Sequence, residues 1–238
     1  MKIENIYTFN MGNAFRGMRN PMNSWDKSDS VNATDNIFYL GEKDKELAQK
    51  LIRAGNEHRK FMRQIIVSFD LTAPLYFWKE FDTYKVGTTA NSTSTMHKLA
   101  STPITLECFE TDDYEDELIY LSGVDDFATD APYKYDMRIK DMVESFNVNS
   151  YNNATILEFL EDLRLKYIET KDKRYWKELI RWLPESWLQT RSITLSYENI
   201  YNMIHQRKNH KLSEWHYVIK EFRKLPYAKE LLFLDEEE

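Results

Sequence analysis

From Ile65 the odd positions Ile65, Val67, Phe69 and Leu71 are apolar, while Gln64, Ser68 and Asp70 fall between them. Side chains alternate across a strand, so this run puts an apolar stripe on one face and polar groups on the other. The pattern reads back to Phe61, with Lys60 on the polar face, and Arg63 is its one polar intruder on the apolar side. An arginine placed there would snorkel or pair at a sheet edge. Thr72-Ala73-Pro74 ends the alternation and reads as a helix start with proline near the first turn. Leu75, Phe77, Trp78 and Phe81 then mark a buried helical stripe as far as Tyr84 or Lys85. A strand that delivers straight into an apolar helix is the signature of a mixed α/β domain.

The rest of the chain is read around that unit. Met1 to Asn10 is a short strand, and the Gly, Asn and Ser that follow through Asn36 read as an irregular excursion. Gly41 to Ala54 is an amphipathic helix with Leu47, Leu51 and Ile52 at helical spacing and Gly55 where a C-terminal cap belongs. Thr105 to Phe109 reads as a short strand, and Glu110 to Glu117 as a solvated acidic loop. Helices are expected over Lys134–Phe146, over Asn153–Ile168 with the stripe Leu157, Leu160, Leu163 and Tyr167, and over Lys173–Leu183 before Pro184. Thr190–Ser196 is a strand, Tyr197–Gln206 and Lys211–Leu225 are helices, and the acidic tail Asp235–Glu238 is frayed. No repeat or Gly/Ser linker divides the chain. It reads as a single α/β (α+β) domain over residues 1–238 with a helical insertion around 110–180.

Charge and cysteine usage exclude several function classes. The chain has 238 residues, 32 Lys and Arg against 39 Asp and Glu, and a formal charge of −7. That leaves no broad basic surface for duplex nucleic acid, although a local cationic pocket for a phosphate stays open. Cys108 is the only cysteine, so neither an intramolecular disulfide nor a multi-cysteine zinc site can form. No stretch approaches the roughly 20 apolar residues of a membrane span, and the start of the chain lacks a secretory apolar core. The expectation is a cytoplasmic protein with no membrane partner.

Standard catalytic motifs are missing. There is no Gly-x-Gly-x-x-Gly, no Walker phosphate loop, no Gly-x-Ser-x-Gly elbow and no His-Glu-x-x-His. The five histidines, His58, His97, His205, His210 and His216, do not share a helix face, so no metal site is expected. Cys108 lies in an apolar stretch and reads as a core residue. What remains is Val86-Gly87-Thr88-Thr89-Ala90-Asn91-Ser92-Thr93-Ser94-Thr95, a run of small hydroxyl and amide groups. It can close a turn and cap the next helix, or present hydroxyls and backbone N–H groups to an anion.

Taken with its surroundings, that run resembles the flavin-dependent thymidylate synthase family. Glu57-His58-Arg59-Lys60-Phe61 matches the family's Glu-His-x-x-Phe. Ala73-Pro74 matches its helix start, and Thr83-Tyr84-Lys85-Val86-Gly87-Thr88 occupies the register of its Arg-His-Arg signature. In the C-terminal part, Leu183-Pro184, Thr194-Leu195-Ser196-Tyr197-Glu198-Asn199-Ile200, Gln206-Arg207 and Glu214-Trp215 follow the family's order. The matching segments cover about half the chain. The resemblance implies a small mixed or antiparallel sheet flanked by helices, and a homotetramer with active sites between subunits. It also implies C5 methylation, or a related modification, of a pyrimidine deoxynucleotide such as dUMP with FAD, reduced methylenetetrahydrofolate and NADPH.

Carried over position by position, the resemblance puts catalytic roles on Thr93 and Lys85, and substrate contacts on Glu80, Asn91, Thr95 and Arg207. Flavin contacts fall on Thr83, Tyr84, Lys85, Thr88, Ser196 and Glu198, and no metal is implied. The signature's two arginines and histidine are here Thr83, Lys85 and Tyr84, the later Ser-x-Arg is Thr93-Ser94-Thr95, and a nucleotide-contacting glutamine is Glu80. Replacing arginine with threonine removes a fork of charge-assisted donors. Three functions therefore stay open: a working relative of these enzymes, an enzyme reading a ligand of lower phosphate charge, and a non-catalytic homologue that binds nucleotide or acts as a scaffold.

Overall fold

The computed structural model describes residues 1–34, 37–110, 119–122, 134–137 and 156–234. The chain divides into two compact units. The first comprises Met1–Thr72, Lys79–Ser92 and Thr190–Glu238, and the second Ala73–Trp78 and Thr93–Gln189. The architecture is mixed α and β, with small antiparallel sheets flanked by helices.

The first unit is organised by a four-stranded sheet of order β1-β4-β8-β5, formed by β1 (Lys2–Phe9), β4 (Ile66–Pro74), β8 (Leu188–Ser196) and β5 (Thr89–Ser92). β1 pairs antiparallel with β4, and β5 antiparallel with β8. The alternation along β4 divides the sheet's faces as expected. Val67, Phe69 and Leu71 are buried, and Ile193 and Leu195 of β8 join them. On the opposite face Ser68 Oγ lies 3.2 Å from Thr194 Oγ1 and Thr72 Oγ1 lies 2.7 Å from Thr190 Oγ1. Asp70 completes that polar ladder, accepting from Ser192 and from Asn5 Nδ2, and these hydrogen bonds, Ser192's first, hold its carboxyl below the usual range.

Helices cover the apolar face. α1 (Met11–Met18) buries Ala14 and Phe15, and α2 (Glu42–Arg53) buries Ala48 and Ile52. Past α3 (Leu75–Phe81) and across β8, α7 (Tyr197–Arg207) buries Ile200 and Met203, and α8 (Ser213–Phe222) buries Trp215 and Val218. A short turn of helix, α9 (Ala228–Leu231), closes the unit. Gly55, at φ +105°, stops α2 in a backbone region that side chains rarely adopt.

Several expectations need correcting here. Residues 11–34 are not an irregular excursion. They hold α1, two short 3₁₀ turns and β2 (Val31–Thr34), which pairs with β3 (Ile37–Tyr39). Their Gly and Asn content reads as loop, but Met11, Ala14, Phe15 and Met18 at helical spacing are buried, and tertiary packing outweighs weak local propensity. The strand expected from Phe61 begins at Ile66, because Lys60–Arg63 is a 3₁₀ turn, so Arg63 is no intruder on a strand.

In the second unit, Leu99, Ile104, Phe109, Leu160 and Leu179 form a core, with Leu157, Leu163 and half-buried Cys108 packed against it. α5 (Ile156–Thr170) and α6 (Lys173–Trp182) carry most of it, much as their spacing predicts, after the four-residue α4 (Thr95–Lys98). Residues 153–155 of the expected helix lie outside the described residues. Arg164 is buried, and its Nε donates to Glu161 Oε2 at 2.7 Å, while the same carboxylate takes the backbone N–H of Ile104 at 2.9 Å. Leu106–Cys108 is a 3₁₀ turn rather than a strand, and only Phe109 bridges to Trp187. Lys134–Met137 is β7, paired with β6 (Ile119–Ser122), where a helix is expected from sequence. The remainder of that helix, the acidic stretch 111–117 and the tail 235–238 lie outside the described residues.

Candidate functional site

The end of α3, the turn after it and the end of α7 bring one group of the expected residues together. Arg207, in the last turn of α7, donates from Nη1 to Glu80 Oε2 at 2.7 Å and from Nε to the Tyr84 hydroxyl at 2.9 Å. The Tyr84 hydroxyl donates to Gln206 Oε1 at 3.1 Å. The guanidinium lies over two rings, 5.1 Å from the Trp215 centroid and 5.5 Å from that of Tyr84, a placement in which ring quadrupoles favour the cation. His210 Nε2 approaches the same Glu80 oxygen at 3.1 Å. The set is neither deeply buried nor fully open: the Glu80 side chain is 34 % exposed, His210 21 % and Arg207 19 %.

The turn that follows is fastened by Asn199. Its side-chain amide donates to Val86 O at 2.6 Å, while its Oδ1 takes the Ser196 N–H at 3.2 Å. Ser196 and Asn199 thereby form a reciprocal capping box at the start of α7. Gly87 has φ +75°, and a Cβ there would meet Asn199 Oδ1 at 3.1 Å, so glycine suits both the backbone and the close approach. Lys85 is exposed on this turn. Thr88 Oγ1 is shielded from water and has no hydrogen-bond partner among the described residues. Thr83 Oγ1 turns back to Glu80 O at 2.7 Å, and Asn91 is exposed on β5 opposite Ser192.

Other expected residues have local partners. Ser196 caps a helix, and Glu198, in the first turn of α7, accepts from Arg59 Nε at 3.2 Å and from Arg63 Nε. Arg59 also reaches Asn202 Oδ1 at 3.2 Å and lies over the Tyr201 ring at 4.5 Å. Thr93 and Thr95 belong to the second unit, where Gln189 Nε2 donates to Thr93 O at 3.0 Å and Thr95 Oγ1 at 3.3 Å. The backbone bond from Leu99 N to Thr95 O at 2.9 Å makes this end of the hydroxyl run a helix start.

Sequence reasoning missed His210 and Gln206 as partners of the cluster, and Arg59 and Arg63 as partners of Glu198. The spacing of Gln206, Arg207 and His210 around one helix end was the available signal for the first pair. For the arginines, Arg63 breaking the apolar period was the only one.

No protein-family model matches the chain, and no curated protein matches it by sequence. Among solved structures, the flavin-dependent thymidylate synthase ThyX from Helicobacter pylori complexed with FAD and dUMP is similar at a TM-score of 0.62 and 19 % identity, over 99 % of this chain and 99 % of that one. A second structure of the Helicobacter pylori protein with FAD and dUMP gives the same score and identity over 99 % and 98 %. The likeness is one of fold. It spans the whole length, where the matching sequence segments covered about half.

Proposed function

We propose that this chain is a flavin-dependent thymidylate synthase-like enzyme acting at C5 of a pyrimidine deoxynucleotide such as dUMP. FAD would be its cofactor, with methylenetetrahydrofolate and NADPH as co-substrates, in a cytoplasmic homotetramer. The observation that supports the reading most is the full-length likeness to a structure holding FAD and dUMP. The meeting of Glu80, Tyr84 and Arg207 at one place, from segments more than 120 residues apart in sequence, adds to it.

The residues present fit an anionic cofactor at one point. Thr88 offers a shielded hydroxyl without a partner, and Lys85 an exposed ammonium on the same turn. Bound flavin would supply the hydride; Lys85 and Thr88 would hold its anionic part, and the Tyr84 ring would offer a flat apolar surface. Asn199 would position both by fixing the turn at Val86 O.

The test is the absorption spectrum of the purified protein, followed by turnover assays with dUMP, deoxyuridine and related pyrimidines. A flavin band near equimolar with protein and C5 modification are expected. Protein that stays colourless after soaking in FAD would overturn the enzyme reading.

One observation favours a second reading, a non-catalytic homologue. Ser196, Glu198 and Thr83 direct their polar groups to neighbours within the unit rather than outward. A ligand far above its dissociation constant raises stability by a few kcal/mol. Thermal-shift screens with nucleotides, flavins and folates that move nothing would support the scaffold.

A further inference from the structure

Glu80 closes a charge circuit at the end of α7. His210 Nδ1 accepts the Leu212 N–H at 3.2 Å, which leaves Nε2 as the protonated ring nitrogen, donating to Glu80 Oε2 at 3.1 Å. The same oxygen takes Arg207 Nη1 at 2.7 Å. With the imidazole neutral, one carboxylate cancels one guanidinium and the cluster carries no net charge. Arg207 Nε is engaged as well, by the Tyr84 hydroxyl at 2.9 Å.

Charge-assisted donors hold a phosphate dianion most strongly, and the Arg207 guanidinium is already paired with Glu80. A dianion arriving here must displace the Glu80 carboxylate from Arg207 and then sit beside it, so like-charge repulsion opposes what the guanidinium gives. An uncharged nucleoside meets no such opposition. A carboxylate accepts hydrogen bonds from several directions, so it can take an imide N–H or a sugar hydroxyl while still holding Arg207. The half-buried Tyr84 ring beside the guanidinium supplies flat surface for a base, while Trp215, wholly buried, packs against the guanidinium.

We infer that Glu80 is a specificity-determining residue, through which the Glu80–Arg207–Tyr84 cluster takes an uncharged pyrimidine nucleoside in preference to its 5′-monophosphate. This rests on the pyrimidine reading proposed above, and moves its preferred substrate from the nucleotide to the nucleoside.

The test is calorimetric titration of the full chain with deoxyuridine and, separately, with dUMP at low salt. The wild-type protein is expected to bind deoxyuridine about tenfold tighter than dUMP. Glu80→Gln keeps the side-chain shape and removes the charge. It should tighten dUMP about tenfold while moving deoxyuridine by less than about threefold. The wild-type ratio needs no variant to fold, and a far-UV spectrum checks the variant. dUMP bound as well as or better than deoxyuridine by the wild-type protein, or a ratio unmoved in Glu80→Gln, overturns the specificity and leaves the pyrimidine reading standing. Failure of both pyrimidines to bind either protein overturns the two together.

Discussion

α7 carries a carboxylate in its first turn and a guanidinium in its last, each placed favourably for the helix dipole, and the two ends answer their charges differently. At the first turn Glu198 is buried and holds two arginines, so the carboxylate is outnumbered and every charge on it is tied to the 3₁₀ turn at Lys60–Arg63 or its border. At the last turn a half-exposed Glu80 holds Arg207 and His210. Where water is excluded, a charge left without its partner is costly. Where water reaches in, it is cheap. The first end is therefore a structural pin. The second can exchange partners at little cost in stability.

The largest expected effect lies at the pin. Glu198→Ala leaves Arg59 uncompensated in a buried setting and should lower unfolding free energy by about 3 kcal/mol in urea titration. A loss below about 1 kcal/mol would put both ends of α7 in the same class. Arg59→Ala should cost about 2 kcal/mol, since it removes a charged hydrogen bond, the Asn202 contact and the stacking over Tyr201. Arg63, with a side chain 46 % exposed, should cost about 1 kcal/mol or less when replaced by alanine. Equal losses at the two arginines would show that burial is not what separates them.

The buried Arg19–Asp44 pair extends the comparison to acid. Arg19 and Asp44 meet at 2.5 Å with side chains 5 % and 0 % exposed. Burial alone would raise the Asp44 carboxyl, but hydrogen bonds from Ser28, Ser30 and Arg19, together with the Arg19 charge, outweigh it and hold the group below its usual value. A depressed carboxyl contributes stability above its unfolded pKa of about 4, and that contribution is lost as pH falls through the folded value. Stability measured by denaturant from neutral to acid should decline in that window, and Asp44→Asn should flatten the decline. The smallest effect belongs to the open end. Glu80→Gln should change unfolding free energy by about 0.5 kcal/mol or less while altering ligand preference.

Legibility in the sequence followed the strength of the local period. β4 and the helices from α5 onward repeat apolar residues often enough for burial to follow, and Gly55 sits where a helix must stop. α1 was obscured because Gly12 and Gly17 dilute its period, and the burial of Met11, Ala14, Phe15 and Met18 shows only in the folded chain. Lys134–Met137 shows the reverse error, since four residues are too few for their spacing to distinguish strand from helix. In the candidate site, Tyr84, Lys85, Thr88 and Arg207 were singled out by sequence. That Arg207 pairs with Glu80, also singled out, was not legible, because the two stand 127 positions apart and no local pattern links them.

Sequence alone determined the alternating core strand, the helix it leads into and the absence of an intramolecular disulfide. These depend on side-chain periodicity and residue identity, which the chain carries locally. The tertiary structure alone decided which charges meet. It set Glu198 between two arginines and Glu80 against Arg207. Charge pairing is fixed by distance in space and by access of water, and neither is written in the spacing of residues along the chain.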